Sequence, residues 1–473
     1  MKTGKYILIT ALAVGVLLSA CDKQLELEPK DSQSTGQALG TLKGINAAVV
    51  GMYANMRSVS YYGRYLFIYG DLSSADVYLA KANSNRFIPT FQRSFAAVDA
   101  DALGIWTATY STISRANNII NAVDNVSATQ EEKDMAKGQS LFVRALAYFD
   151  LVRTFAKPYN QGGGSQLGVP IVTTTDINST PARNTVAEVY TRIIDDLNQA
   201  KTLLGATTTD TKVTASKFAA SALLSRVYLY KEDYNNAIAE ANVVTGAGYS
   251  LVTAAQLPTF YSTVGTSEEI FTLKFVATES LGSDNLGNMY LKPGYGDVRV
   301  SPDLVTIFDV SNDERYKNFI SPFTNSPLEF QNNKFKSQDG IQGLYSPKIL
   351  RLSEVYLNRA EAYAKTSQPA QALTDLNAVR TKRGLTALVG ISGAQLVDSI
   401  LTERRREFMF EGHRAFDLTR NGLAIVRNYC NQPTEVSTTQ CTYAANDPKM
   451  IAPIPQAEID ANPSLVGQQN PGY

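Results

Sequence analysis

Apolar residues recur at helical spacing over most of the chain, and Gly-, Pro- and Asn-rich stretches fill the gaps. From Gln139 the positions Leu141, Phe142, Ala145, Phe149 and Val152 mark one face of a helix. Thr185-Val-Ala-Glu188 reads as a capping box, and Val189, Ile193, Leu197 and Ala200 continue one apolar face behind it. Ser301-Pro302-Asp303 supplies a cap, a proline at the first helical position and an acid at the positive helix end. Ser392-Gly-Ala-Gln395 opens a further helix, expected to close at Gly412. A β-like run, Glu269 to Val276, precedes a Gly/Asn/Asp/Tyr-rich stretch from Ser280 to Val300. Residues 160–182, 321–346 and 429–473 are also rich in Gly, Pro, Asn and Gln, and long ordered loops on a rigid scaffold commonly carry binding sites.

Two helical hairpins look related. One runs from Lys217 to about Val244, the other from Ile349 to about Arg383. In the second, Tyr356, Ala360, Tyr363, Ala372, Leu376 and Val379 follow the large-and-small pattern of tetratricopeptide units. Small residues at Ala360 and Ala372 let two helices approach, and Tyr363 fills the adjoining groove. In the first, Ala237 and Ile238 follow Tyr234 in the same way, with a turn one residue shorter. The length exceeds the usual single-core limit of about 250–300 residues, which predicts two lobes or an extended repeat scaffold.

The first residues predict export. Lys2 and Lys5 precede an apolar stretch from Tyr6 to Leu18, too short for a permanent span of about 20 residues. Leu18-Ser19-Ala20-Cys21 matches a bacterial lipobox. Residues 1–20 therefore read as a signal peptide, Cys21 as the lipidated residue, and 21–40 as a polar tether to a folded body of 41–473. Acyl chains bind membranes at about 0.8 kcal/mol per buried CH₂, so several chains make a lasting anchor. With Cys21 lipidated, Cys430 and Cys441 remain, and in an oxidising compartment they are expected to form a disulfide.

Charge and chemistry narrow the function by exclusion. The chain carries 44 Lys and Arg against 44 Asp and Glu, so nothing suggests a nucleic-acid partner. The one histidine, His413, would have to serve any Ser-His-Asp or Cys-His system, and two thiols with one histidine make a poor zinc set. No metal and no cofactor is expected, since neither a phosphate-binding loop nor a dinucleotide fingerprint appears in a supporting context. Glu407, Glu411 and Asp417 are the acids a glycosidase would need, but Glu403/Arg406 and Arg404/Glu407 are spaced for ion pairs on one helix. Arginine neighbours keep carboxylates ionised, so the cluster reads as structural. The single tryptophan, Trp106, falls on an amphipathic helix with Ile105, Tyr110 and Ile113 and reads as core. A sugar site would then rest on Tyr and Phe. The candidates are Tyr78, Arg86, Phe87 and Phe91 in one loop, and Tyr290, Tyr295, Asp297 and Arg299 in another.

Several segments together resemble the SusD/RagB family of outer-membrane nutrient-binding lipoproteins of Bacteroidetes. They are the lipobox, Trp106-x3-Tyr110-x2-Ile113-x3-Asn117, and Phe142-Val-Arg144-Ala-Leu-Ala-Tyr148-Phe149-Asp-Leu-Val-Arg153 followed by Gly168-Val-Pro170. The most specific is Glu403-Arg404-Arg405-x-Glu407-x3-Glu411-Gly412-x-Arg414-x2-Asp417-Leu418-x-Arg420. The resemblance implies a mainly α, SusD-like fold of four tetratricopeptide-like helix pairs, with long loops and minor β elements. The two hairpins would be the third and fourth pairs. Residues 42–58 with 104–121 and 134–155 with 185–204 would be the first two. An N-terminal part of about 41–250 and a C-terminal RagB/SusD part of about 251–473 follow. The resemblance also implies a non-catalytic protein, lipid-anchored at the cell outer membrane and facing outward. Such a protein captures an oligosaccharide or a peptide and passes it to a SusC-type TonB-dependent transporter. The lone structural tryptophan departs from a tryptophan-based starch platform.

Overall fold

Four helical hairpins stacked in chain order make the scaffold. A computed structural model describes residues 35–176, 178–206, 212–323 and 326–473. The signal peptide, Cys21 and the tether as far as residue 34 lie outside the described residues. The first hairpin pairs α1 (Leu42–Met56) with α2 (Ala100–Ala122), and the second pairs α3 (Gln130–Phe155) with α4 (Val186–Leu203). The third is α5 (Lys217–Tyr230) with α6 (Tyr234–Thr245), and the fourth α7 (Leu352–Lys365) with α8 (Pro369–Lys382). Successive hairpins pack α2 on α3, α4 on α5 and α6 on α7, and α9 (Gly393–Glu407) lies against α7 and α8. These are the four pairs implied by the family resemblance, the last two of which the repeat pattern had already marked.

The small-residue positions act as predicted. Ala219, Ala220, Ala237, Ala241, Ala360 and Ala372 are fully buried where helices meet. The capping box forms in full, with the Thr185 hydroxyl accepting from the Glu188 N–H and the Glu188 carboxylate accepting from the Thr185 N–H at 2.7 Å. Helix α3 is covered on every side from Gly138 onward, so its polar residues need internal partners. Arg144 forms a fork with Asp196 (2.7 and 2.8 Å) and reaches Asn117 (2.8 Å), tying α3 to α4 and α2. Trp106 is core, its ring edge-on to Phe155 at 5.0 Å.

The chain between α6 and α7 carries seven of the ten described strands, with the first strand between α1 and α2 and the last two after α9. The β-like run is shorter than predicted: β2 covers Glu269–Thr272 and pairs antiparallel with β8 (Lys348–Arg351). A four-stranded sheet has the order β1-β3-β5-β4, from β1 (Val77–Leu79), β3 (Val298–Val300), β4 (Ile320–Phe323) and β5 (Ser326–Asn332). Two short hairpins complete the strands: β6 (Ser337–Gln338) with β7 (Ile341–Gln342), and β9 (Ile425–Val426) with β10 (Thr442–Tyr443).

Helix α9 stops at Glu407, five residues before the predicted Gly412. The last carbonyls explain why. Arg351 donates to the Glu407 carbonyl at 2.8 Å, and Lys334 donates to those of Glu407 and Met409 at 3.2 and 2.9 Å. Cations from elsewhere thus satisfy groups a longer helix would have bonded. Gly412 instead lets two backbones cross: its φ is +73°, and a Cβ added to Gly70 opposite would lie 2.2 Å from the Gly412 carbonyl oxygen.

Candidate functional site

Strand pairing brings the two candidate loops together. Strands β1 and β3 are antiparallel with Leu79 opposite Val298, and the Ala80 N–H donates to the Asp297 carbonyl at 2.8 Å. The loop leaving β1 and the loop entering β3 therefore lie side by side at one end of the sheet. Between them opens a cleft of about 600 Å³, lined by Asn83, Ser84, Asn288, Lys292, Tyr295 and Gln342 among others. Its floor is braced by Gln342, which donates to the Asn288 side chain at 3.0 Å. At its rim the Arg86 guanidinium stacks over the Tyr295 ring at 4.4 Å, donates to the Tyr295 hydroxyl at 3.0 Å and pairs with Asp284 at 2.8 Å. Asp284 is shared with Arg64 at 2.5 Å. Asp297 accepts from both the N–H and the hydroxyl of Ser84. The result is a half-buried tyrosine face ringed by amides and hydroxyls. That set can stack on a ring and hydrogen-bond to its substituents.

Of the eight candidate residues, Tyr295 and Asp297 line the cleft, and Arg86 stands against Tyr295. Tyr78, Phe87, Phe91 and Tyr290 are core side chains instead of exposed platforms, each at most 4% exposed. Tyr78 packs against Tyr429 at 5.1 Å, and Phe87 meets Tyr65 edge-on at 5.6 Å. Arg427 covers the face of Phe91 at 4.5 Å, and Tyr290 donates its hydroxyl to buried Asp71 at 2.5 Å. Burial of large rings stabilises more than exposure, and nothing in the local pattern separates a ring that lines a cleft from one that lies beneath it. Arg299 is also buried, over the Phe323 ring at 3.5 Å. The lining residues Asn83, Ser84, Asn288, Lys292 and Gln342 were not singled out from sequence. Asn288 and Lys292 fall in the Tyr- and Asn-rich stretch that marked the region, but Asn83, Ser84 and Gln342 reach the cleft only through the fold.

Glu407 and Glu411 form a buried ionic centre, and Asp417 sits in a second buried set with Arg404, Arg420 and Glu361; none of them lines the cleft. Arg351 bonds Glu407 at 2.6 Å and Glu411 at 2.8 Å, Arg383 bonds Glu407 at 2.7 Å and Glu268 at 3.0 Å, and Lys334 reaches Glu411 at 2.5 Å. Arg315 joins Asp313, Glu403 and Glu407 at 2.8, 2.8 and 2.9 Å. Burial alone would raise the pKa of Glu407, but Arg383, Arg351 and Arg315 overcome it and hold the carboxyl well below its usual range. The same balance, through Arg351 and Lys334, lowers Glu411, and Arg404 and Arg420 do so for Asp417. These acids are held ionised. Glu403 and Arg406 pair within α9 at 3.2 Å, as expected. Arg404 does not pair with Glu407; it bonds Asp417 at 3.0 Å, because Glu407 is taken by three arginines from other elements. His413 is half-buried, its ring stacked on that of Phe408 at 4.7 Å, and desolvation drives its pKa well down. Asp71 is among the titratable groups that no sequence pattern marked. It accepts from Tyr290 and from the Gly412 N–H at 2.9 Å, and burial raises it to about 7.

Cys430 and Cys441 are bonded to each other, with Cα atoms 5.8 Å apart. Among the described residues no group of His, Cys, Asp and Glu is arranged to hold a metal ion.

A scaffold of stacked helical hairpins that carries a loop-built, amide-rich cleft defines a class of repeat-based α proteins. Two family profiles match this chain: one described as "Starch-binding associating with outer membrane" over residues 25–229, and the SusD family over residues 329–473. The chain belongs to the SusD/RagB family. A crystal structure described as a putative sugar binding protein from Bacteroides vulgatus is 33% identical, with a TM-score of 0.84 over 92% of this chain and 99% of that one. A SusD superfamily protein from Bacteroides thetaiotaomicron is 30% identical, with a TM-score of 0.83 over 91% of this chain and all of the other. SusD-like protein P2 of Formosa agariphila is 25% identical across 98% of this chain and 99% of its own length.

Proposed function

We propose that the chain is a non-catalytic carbohydrate-binding lipoprotein of the outer cell surface. In this reading it takes an oligosaccharide into the cleft between the 81–87 and 291–297 loops and delivers it to a SusC-type TonB-dependent transporter. The observation that carries the reading is the cleft itself. Tyr295 offers a ring face held by Arg86, and Asn83, Ser84, Asn288 and Gln342 offer the neutral donors and acceptors that sugar hydroxyls need. The family description and the sugar-binding relative support the same class of ligand. Lipidation at Cys21 and the transporter partner rest on the lipobox and on family resemblance.

Calorimetric titration of the soluble chain lacking residues 1–21 with maltoheptaose, xylohexaose, laminarihexaose and mannohexaose tests the reading. Binding of at least one is expected, and Tyr295→Ala should weaken it by about tenfold or more, as loss of a stacking ring does. The exposed Lys292 and the Arg86–Asp284 pair also match the charged ends of short peptides. Heat from tri- to hexapeptides with none from the four oligosaccharides would transfer the assignment to peptides.

A further inference from the structure

The loop that forms one wall of the cleft is held partly from within, Asn83 donating to the Ala80 carbonyl at 2.7 Å and accepting from the Asn85 N–H at 2.6 Å, and partly from outside. Three non-glycine residues within it or at its end, Asn85, Phe87 and Arg93, have φ of +59°, +60° and +49°. Asparagine tolerates the left-handed region, but Phe and Arg enter it only when their surroundings compel it. Phe87 is packed by Tyr65 and Arg64, and Arg93 is held by the Ser73 and Lys449 carbonyls, while the two ends of the wall are held by another piece of chain, residues 425–443. This arm is closed on itself by the Cys430–Cys441 bond, by the pairing of β9 with β10, and by a reciprocal pair between the Asn431 side chain and the Thr438 backbone at 2.9 and 2.7 Å.

The closed arm grips both ends of the wall. At the first end, β1 is the edge strand of its sheet, and the arm adds to that edge: Lys81 donates to the Thr434 carbonyl at 2.8 Å, Val436 donates to the Leu79 carbonyl at 2.9 Å, and Ala80 bridges Glu435. At the far end the Gln92 side chain donates to the Ser437 carbonyl at 2.7 Å, and the Tyr443 hydroxyl donates to the Gln92 carbonyl at 2.8 Å. Arg427 donates to the carbonyls of Leu72, Ser74 and Phe91 and covers the Phe91 ring. Between the two grips the loop carries Asn83, Ser84 and Arg86 to the cleft.

We propose that the disulfide-closed arm is a clasp that sets the conformation of the 81–92 wall, making Cys430, Cys441 and the 434–437 backbone positioning residues for the cleft. Its link to ligand affinity rests on the cleft being the binding site; its effect on the wall does not. Hydrogen exchange of the soluble chain, without sugar, reads the effect directly. In the Cys430→Ser/Cys441→Ser double variant the peptide spanning Lys81–Phe87 should exchange about tenfold faster or more, while peptides from α3 keep their wild-type rate. Val436→Pro, which keeps the disulfide but removes the N–H donated to Leu79, should loosen the same peptide. Wild-type exchange of Lys81–Phe87 in both variants overturns the clasp, as does equal loosening of α3, which would make the arm a general support of the fold. The second readout uses whichever of the four named oligosaccharides the wild type binds. A Kd raised about tenfold in the double variant is expected, and an unchanged Kd overturns the link to the cleft. Should none of the four bind, the exchange result still decides the clasp, so the two ideas fail separately.

Discussion

Asp71 is a buried carboxyl whose environment works against its charge. Burial raises its carboxyl to about 7, and only Tyr290 and the Gly412 N–H serve it directly. An acid with a raised folded-state pKa contributes stability that is fully present below its unfolded pKa and is lost as pH rises through the folded one. Between pH of about 4 and about 7 the chain should therefore lose stability relative to Asp71→Asn, by at most about 4 kcal/mol for a shift of this size. Urea unfolding of both proteins at several pH values checks this, and parallel stability profiles would contradict it. No local pattern marked Asp71, because its burial comes from the crossing of Gly70 and Gly412, some 340 residues apart in the chain. Tyr295, by contrast, was visible in a Tyr- and Asn-rich stretch, while Tyr290 five residues earlier looked the same and lies in the core.

At the level of elements, the segment from Glu403 to Arg420 joins the last hairpin to everything else. Glu407 receives arginines from β8, from the end of α8 and from the Glu314–Phe319 helix. A buried ion pair adds little net stability over an apolar core, yet removing one partner strands the others as uncompensated charges. Glu407→Gln should cost about 3–5 kcal/mol, and thermal unfolding should show it as a large fall in Tm. A change below about 1 kcal/mol would show the centre to be dispensable. Exposed caps lie at the other extreme. Thr185→Ala removes the acceptor for the Glu188 N–H, and the expected loss in a urea titration is about 1 kcal/mol. The helices, their caps and their small-residue contacts were legible because each depends on residues a few positions apart. The true end of α9 was not, because Arg351 and Lys334 reach its carbonyls from distant parts of the chain.

For the whole molecule, the anchor and the cleft are proposed to work together. Cys21→Ala should leave the folded body unchanged and move the chain from the membrane fraction to the soluble fraction. Retention in the membrane fraction with no acyl mass on the wild type would dismiss the lipid anchor. The clasp adds a second dependence on compartment, since the bond between Cys430 and Cys441 forms where thiols oxidise, and the proposed export would deliver the chain to such a place. By itself the sequence determined the last two helical hairpins and the arginine and carboxylate segment, which are written in short-range periodicity and spacing; the first two pairs followed from the family resemblance. Only the tertiary structure decided which aromatic rings face the cleft and which glutamate meets which arginine, and only it brought an arm near residue 435 against both ends of the 81–92 loop. Those outcomes depend on strand register and backbone crossings between segments hundreds of residues apart. No local pattern encodes them, because the partner that completes each contact is supplied by the fold.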